Sequence, residues 1–376
     1  MYLDHAATTP MRPEAVVAME PFASEVFGNS SGIHGVSRSA KNALEEARER
    51  AAAILGARPI EIVFTSGGTE SDNLALKGSV FNTSPRRGVV TVATEHEAVL
   101  ETADFLKRIG MPTAIVDVDP DGRAGPDRVA GAVTPETAVV SVMLVNNETG
   151  TVQPVGEIAR AVKEADPEVL VHTDGVQGFN CIDVGVGDLG VDLLSLSGHK
   201  FGGPKGSGLL YVREGVDLEP VQHGGGQELG RRSGTHDVAG AVGLVAAMEV
   251  AAADRHRFRD EIGAMRDRFL ELLKDRLHDI VPNTPGQGRS PHHLNVRFPG
   301  VSNQILLMRL DQSGVCASAG SACQSGAATV SHVLESMGLH PDEARECVRF
   351  TFGWTSTEEE TELAAKTVAE LVEDLR

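Results

Sequence analysis

Residues 191–212 read VDLLSLSGHKFGGPKGSGLLYV. The apolar runs VDLL and LLYV read as two strands, and the glycine-rich stretch between them sets His199 beside Lys200. An amine held at a strand end beside other cations loses its proton readily and becomes a nucleophile for an aldehyde. Glycines around it let the backbone approach a bulky ligand closely.

The flanking chain shows which sheet this edge belongs to. Residues 37–55 form a helical stripe of Ala40, Leu44, Ala47, Ala51 and Leu55, stopped by Gly56. IEIVFT (60–65) is a short strand closed by Ser-Gly-Gly. A helix from Glu70, a strand at 88–94, a helix over 96–109 and a strand at 113–118 follow. TAVVSVMLVNN (137–147), a helix from Val155 and VLVHTD (169–174) continue the alternation. Near-continuous apolar strands separated by helices predict an α/β fold around a largely parallel sheet covered on both faces.

The rhythm breaks after about Val238. An Ala- and Leu-rich helical stretch runs to about Leu277, followed by a strand at 292–298, a helix from Val301, a Gly/Ala/Ser/Cys loop at 314–328 and a strand at 348–352. In the last helix Ser356 and Glu359 fit a capping box. This third of the chain reads as a smaller α+β domain, and 376 residues are enough for two cores.

The net charge of −19 argues against a nucleic-acid backbone or an anionic membrane as the main partner. MYLDHAATTP has no secretory signature, and no apolar run is long enough to span a bilayer, so a cytoplasmic protein is expected. Cys181, Cys316, Cys323 and Cys347 are scattered without a CxxC pair, which predicts a reducing compartment and no resident metal. GGPKGSG lacks the Walker pattern, TEHEAVL has Leu100 where a zinc protease needs a second histidine, GGGQELG follows no dinucleotide-binding strand, and no GxSxG elbow occurs.

Ligands of parallel sheets bind at the carboxyl ends of strands. The residues expected there are SGGTESDN, EHE, NNETG, Asp174 with Gln177, and Gly198 to Lys200. SGGTE opens a helix, and the N–H groups around Gly68 with Thr69 make an anion site or an ordinary cap. Asp174 at a buried strand end needs a cation: a protonated ring nitrogen, or a structural salt bridge. His96 could stack on a flat ligand and move protons, or be a bland loop histidine. Phosphate site, carboxylate, stacking histidine and aldehyde-reactive lysine together describe a site for pyridoxal phosphate.

YLDHAATTP, GNSSGIH, FTSGGTESDN, TEHEAV, VNNETG, HTDGVQ, SGHKFGGPKG, GGGQE followed by RSGT, GSAC and RFTFG occur in this order over nearly the whole chain. In these stretches the chain resembles the class V aminotransferase group of fold-type-I pyridoxal-phosphate proteins, and within it the cysteine desulfurases of the NifS/IscS type. The resemblance implies a large cofactor-binding domain at 16–250 with a mostly parallel seven-stranded sheet. Residues 1–15 and 251–376 would form the smaller α+β domain.

By the same resemblance Lys200 would hold pyridoxal 5'-phosphate covalently. Asp174 would pair with its ring nitrogen, Gln177 with its ring oxygen, and His96 would stack on the ring and assist proton transfer. Gly68, Thr69, Ser197 and His199 would hold the phosphate, with Thr235 reaching the phosphate of a neighbouring subunit in a homodimer. Asn147 and Arg349 would bind the substrate carboxylate, with Asn147 also beside the cofactor.

Cys323 lies in GVCASAGSACQSGAATVSHV, small residues with no core pattern, and in the family this thiol takes sulfur from cofactor-bound L-cysteine and leaves alanine. A loop of this length, about 314–330, resembles the first group of desulfurases, sulfurtransferases that hand a persulfide to acceptor proteins. An iron–sulfur scaffold or a tRNA-thiolation enzyme would be such an acceptor, with metal met only through hand-off to a cluster. Cys181, Cys316 and Cys347 read as packing residues. The chain departs from the family at Leu229 and Trp354, where arginine is usual, and at Ser37, Arg38, Ser39 and Ala40, where GRSA is usual. Alternatives are a selenocysteine lyase or another class V aminotransferase or lyase, which would not require the thiol, and a non-catalytic scaffold, which would not bind the cofactor.

Overall fold

The computed structural model describes residues 1–82, 84–320 and 330–376. Seven strands form the large sheet: β1 Ile62–Thr65, β2 Gly88–Val92, β3 Thr113–Val116, β4 Thr137–Ser141, β5 Leu170–Asp174, β6 Leu193–Ser197 and β7 Gly208–Val212. Their order is β1-β7-β6-β5-β4-β2-β3. Only β7 runs against its neighbours, because it turns straight back from β6.

Successive residues point to opposite faces. Val90, Val140, Leu194 and Leu209 enter one apolar core, while Val89, Val139, Leu193 and Leu210 enter the other. Hence the strands are apolar throughout, and polar groups are left to the strand ends. The helix Gly35–Leu55 buries the predicted alanine and leucine stripe and ends at Gly56 with φ 66°. The helix Val238–Arg257, buried over most of its first three turns, packs beside it and beside Pro13–Ser24.

A separate core covers the second sheet, made of β8 Val281–Pro282, β9 His293–Arg297 and β10 Cys347–Thr351 in the order β10-β9-β8. Phe269, Phe350 and Phe352 meet there with Val368 and Val372 of the helix Glu358–Asp374. Leu3 belongs to this second core and Ala15 to the first. No helix among the described residues is long and apolar enough to cross a membrane.

Three local expectations are corrected. The last helix is capped by Thr357, whose hydroxyl accepts from Glu360 N–H at 3.2 Å. Ser356 instead accepts from Gly353 N–H at 3.0 Å, so the cap lies one residue later. The strand expected over 137–147 ends at Ser141. Beyond it, Val142 and Leu144 donate to the carbonyls of His172 and Asp174 in β5, and Val145 pairs with Val152. Cys181 and Cys347 are buried as expected, but Cys316 is exposed, its backbone paired with Tyr2.

One buried ion pair fastens helix 35–55, β1 and the loop after β7. Arg48 donates through both terminal nitrogens to Glu228, at 2.7 and 2.8 Å, and Phe64 N–H adds a third bond at 2.9 Å. Glu228 and Leu229 both adopt left-handed backbone, φ 49° and 59°, which non-glycine residues seldom do. Leu229, the departure from arginine, is 65% exposed. Burial would raise the Glu228 carboxyl, but the Arg48 fork, His236 and the Phe64 N–H outweigh it and hold it at about 2, against an ordinary 4.5. A depressed acid stabilises the fold above its unfolded pKa and loses that contribution as pH falls through its folded one. Acid titration should therefore remove about 3 kcal/mol of stability between roughly pH 5 and 2. In Glu228→Gln, unfolding followed by circular dichroism should be weakened at neutral pH and lack that acid step.

Candidate active site

At the carboxyl edge of the large sheet lies a cavity of about 570 Å³. Gly68, Thr69, His96, Asn147, Asp174, Gln177, Ser197, His199, Lys200 and Arg349 all line it, so ten of the predicted residues converge. They come from distant parts of the chain because they sit at or beyond the ends of five strands, β1, β2, β4, β5 and β6, with Arg349 supplied by β10 of the second sheet. Thr235 does not line this cavity and is exposed. Cys323 lies outside the described residues.

Lys200 ends the turn Gly198–Lys200 that closes β6. Its Nζ donates to the carbonyls of Ala6 and Ala7, at 2.6 and 3.0 Å. Gln177 Nε2 donates to the same Ala6 carbonyl at 2.9 Å. His199 Nδ1 meets Thr8 Oγ1 at 3.1 Å, and Thr9 N–H donates to the His199 carbonyl. Burial, then Lys200 and Lys205, lower His199 to about 4, so it stays neutral at pH 7.

The first strand leads to the anion end. Gly67 has φ 151°, and a Cβ on Gly208 of β7 would lie 2.5 Å from its Cα. This close approach brings the start of the helix Gly68–Phe81 beside Ser197. The N–H groups of the helix start, with Thr69, Ser197 and neutral His199, are donors that could hold a phosphate.

Opposite stands Asp174, buried, with Val176 N–H donating to Oδ1 at 2.9 Å. Burial raises its carboxyl, and His96, that N–H and Lys200 pull it back down. Behind it sits Asp72, also buried, which burial and the Asp174 charge raise well above the ordinary range. His172 lies between Ser141 and Ser195, at 2.8 and 2.9 Å, and burial lowers it to about 3. His96 caps the helix Glu97–Arg108: Ala98 N–H donates to Nδ1 at 3.0 Å, so Nε2 is the ring nitrogen left to carry a proton. A protonated ring nitrogen facing Asp174 satisfies a carboxylate that burial otherwise penalises, so the donor set fits pyridoxal phosphate.

The second sheet contributes a cation. Arg349 is buried, and its Nη1 donates to the Asn147 carbonyl at 2.9 Å and the Gly320 carbonyl at 3.3 Å. Its Nη2 pairs with Asp4 at 2.7 Å, and its Nε has no hydrogen-bond partner among the described residues. A substrate carboxylate at this guanidinium must therefore share it with Asp4.

The sequence reading left Ala6, Ala7, Thr8, Asp4 and Asp72 without roles. The first ten residues carry no periodic pattern, and their contacts lie far along the chain, as in the isolated bridges Tyr2 to Cys316 and Asp4 to Thr351. Asp72 stood in a quoted stretch, but a charge on a buried helix face leaves no signal apart from its place among Leu74, Ala75 and Leu76.

A family model described as Aminotransferase class-V matches residues 1–363. A cysteine desulfurase, IscS, from Dictyoglomus turgidum is 42% identical over 377 residues, covering 100% of this chain and 95% of that one. A solved NifS-like protein superposes with a TM-score of 0.93 at 36% identity, covering 100% of this chain and 99% of that one. SspA, solved in complex with cysteine, superposes with a TM-score of 0.83 at 37% identity, covering 93% and 98%. The seven-stranded sheet, the lysine at its edge and the full-length match place the chain in the class-V aminotransferase family.

Proposed function

We propose that this chain is a pyridoxal-phosphate-dependent cysteine desulfurase that takes the sulfur of L-cysteine onto Cys323 and releases L-alanine. One observation separates this from other reactions of the family. Gly320, the first residue of GSAC, lines the same cavity as Lys200 and Asp174, and its carbonyl accepts from Arg349. The thiol thus follows in sequence directly from the cavity wall.

Bound there, pyridoxal phosphate supplies an electron sink that allows the carbon–sulfur bond of an amino acid to be cleaved. Lys200 would hold its aldehyde carbon, and Asp174 would keep its ring nitrogen protonated. Gly68, Thr69, Ser197 and His199 would bind the phosphate, Gln177 the ring oxygen, and His96 would lie against the ring with Nε2 as a proton carrier. Asn147 and Arg349 would orient the substrate carboxylate and set its sulfur toward Cys323.

The net exchange balances. Cys323 loses its thiol proton, a sulfur–sulfur bond forms on it, the substrate carbon–sulfur bond breaks, and the carbon that loses sulfur takes a proton. The persulfide then passes to an acceptor protein, of the iron–sulfur scaffold or tRNA-thiolation kind. Exposed Thr235 would serve the phosphate of a second subunit, and exposed Phe27, Ile33 and Leu229 offer apolar area for that subunit. Buried, unpaired Cys181 and Cys347 accord with a reducing cytoplasm.

Two measurements test this reading. Cys323→Ala should bind cofactor and cysteine, shown by the visible spectrum, yet place no radiolabelled sulfur on the protein and release no alanine catalytically. Full turnover in that variant would favour a lyase or aminotransferase that needs no thiol. Arg349→Lys keeps the charge but loses the fork, so KM for cysteine should rise by about tenfold or more; an unchanged KM would remove Arg349 from substrate binding.

A further inference from the structure

The segment that carries Cys323 is bounded on one side by Gly320 and on the other by Val330, followed by Ser331. Both boundaries meet one side chain, Glu148. Ser331 Oγ donates to Glu148 Oε2 at 2.6 Å while accepting Leu334 N–H at 3.2 Å. On the other side, Gly320 adopts φ 100°, and a Cβ built there would lie 2.4 Å from the same Oε2. The carboxylate therefore rests directly against the bare Cα of Gly320, a fit that only glycine permits.

Glu148 itself is rigidly placed. It is buried, in the turn after β4, where Asn146 Oδ1 accepts from the N–H groups of Glu148 and Thr149, each at 2.9 Å. Asn146 Nδ2 in turn donates to the Thr94 carbonyl at 2.9 Å. The same turn carries Asn147, whose carbonyl takes Arg349 Nη1, and that nitrogen also holds the Gly320 carbonyl. Gly320 is thus gripped twice, by the guanidinium on its oxygen and by the carboxylate on its Cα. Burial raises the Glu148 carboxyl, and Ser331, His332 and Arg349 work against that rise. A buried polar group of this kind is costly unless its bonds are made; its hydrogen bond runs to one end of the segment, at Ser331, and its packing contact to the other, at Gly320.

We propose that Glu148 is a positioning residue for sulfur transfer, a buried carboxylate that fixes Gly320 and Ser331, the described residues on either side of the stretch that carries Cys323. This rests on the reading that Cys323 accepts the sulfur. Cysteine binding itself is left to Arg349 and Asn147.

The test uses the cofactor-loaded enzyme and the variants Glu148→Ala, Glu148→Gln and Ser331→Ala. Three quantities are read: cysteine affinity from the visible spectrum, single-turnover arrival of radiolabelled sulfur on Cys323, and the rate of Cys323 alkylation by iodoacetamide without cysteine. In both alanine variants, sulfur arrival should slow roughly five- to tenfold and the alkylation rate should change, with cysteine affinity within about twofold of wild type. Glu148→Gln, which still accepts from Ser331, should recover most of the lost rate. Should Glu148→Ala fail to fold, Ser331→Ala decides. Unchanged sulfur arrival and alkylation, or a loss matched by an equal loss of cysteine affinity, overturns the proposal. A wild-type enzyme with no label on Cys323 overturns the underlying reading instead.

Discussion

A carboxylate and an amine are withdrawn from water into one cavity at the edge of the large sheet. Asp174 is buried there, Lys200 ends the turn beyond the next strand, and neither charge is tolerated without compensation. His96 and Lys200 supply part of it to Asp174, and the carbonyls of Ala6 and Ala7 supply part to Lys200. The fold serves this requirement. Because helices cover both faces of the sheet, the strand ends are where polar groups can gather, and the antiparallel return of β7 folds the lysine turn back over that edge.

Assembly of the site depends on chain segments that a local pattern does not connect. The N-terminal residues cross from the second sheet to the lysine turn, pairing with β10 through Asp4 and with His199 through Thr9. Arg349 then reaches the cavity from β10, holding Asp4, Asn147 and Gly320 together. The N-terminal segment and the boundary of the Cys323 segment therefore share one guanidinium, which on the proposed function would also meet the substrate. On the proposed function, this sharing would let a substrate carboxylate influence the boundary of the segment that carries Cys323.

Much of this was legible along the chain. Continuous apolar runs ending in Asp174, His199 and Lys200 announce a doubly covered sheet with polar strand ends, and the stripe from Ala40 to Leu55 needs only helical periodicity. Other features were hidden because the local pattern is ambiguous or because they arise from contacts remote in sequence. Thr357 and Ser356 present nearly the same capping pattern, and only the backbone path decides between them. Cys316 looks like a packing residue by composition, yet its backbone pairs with Tyr2 and its side chain faces out. Glu148 and Asp72 read as ordinary polar residues until the fold buries them beside Gly320 and Asp174.

The central claim is that the Lys200 amine carries the cofactor in a cavity built around Asp174. Borohydride reduction of the purified protein loaded with pyridoxal phosphate, followed by peptide mapping, tests it directly. The account predicts a loss of the yellow colour and a single reduced cofactor on the peptide containing Lys200. A protein that stays colourless with the cofactor, or that carries the reduced label on another lysine, would contradict it.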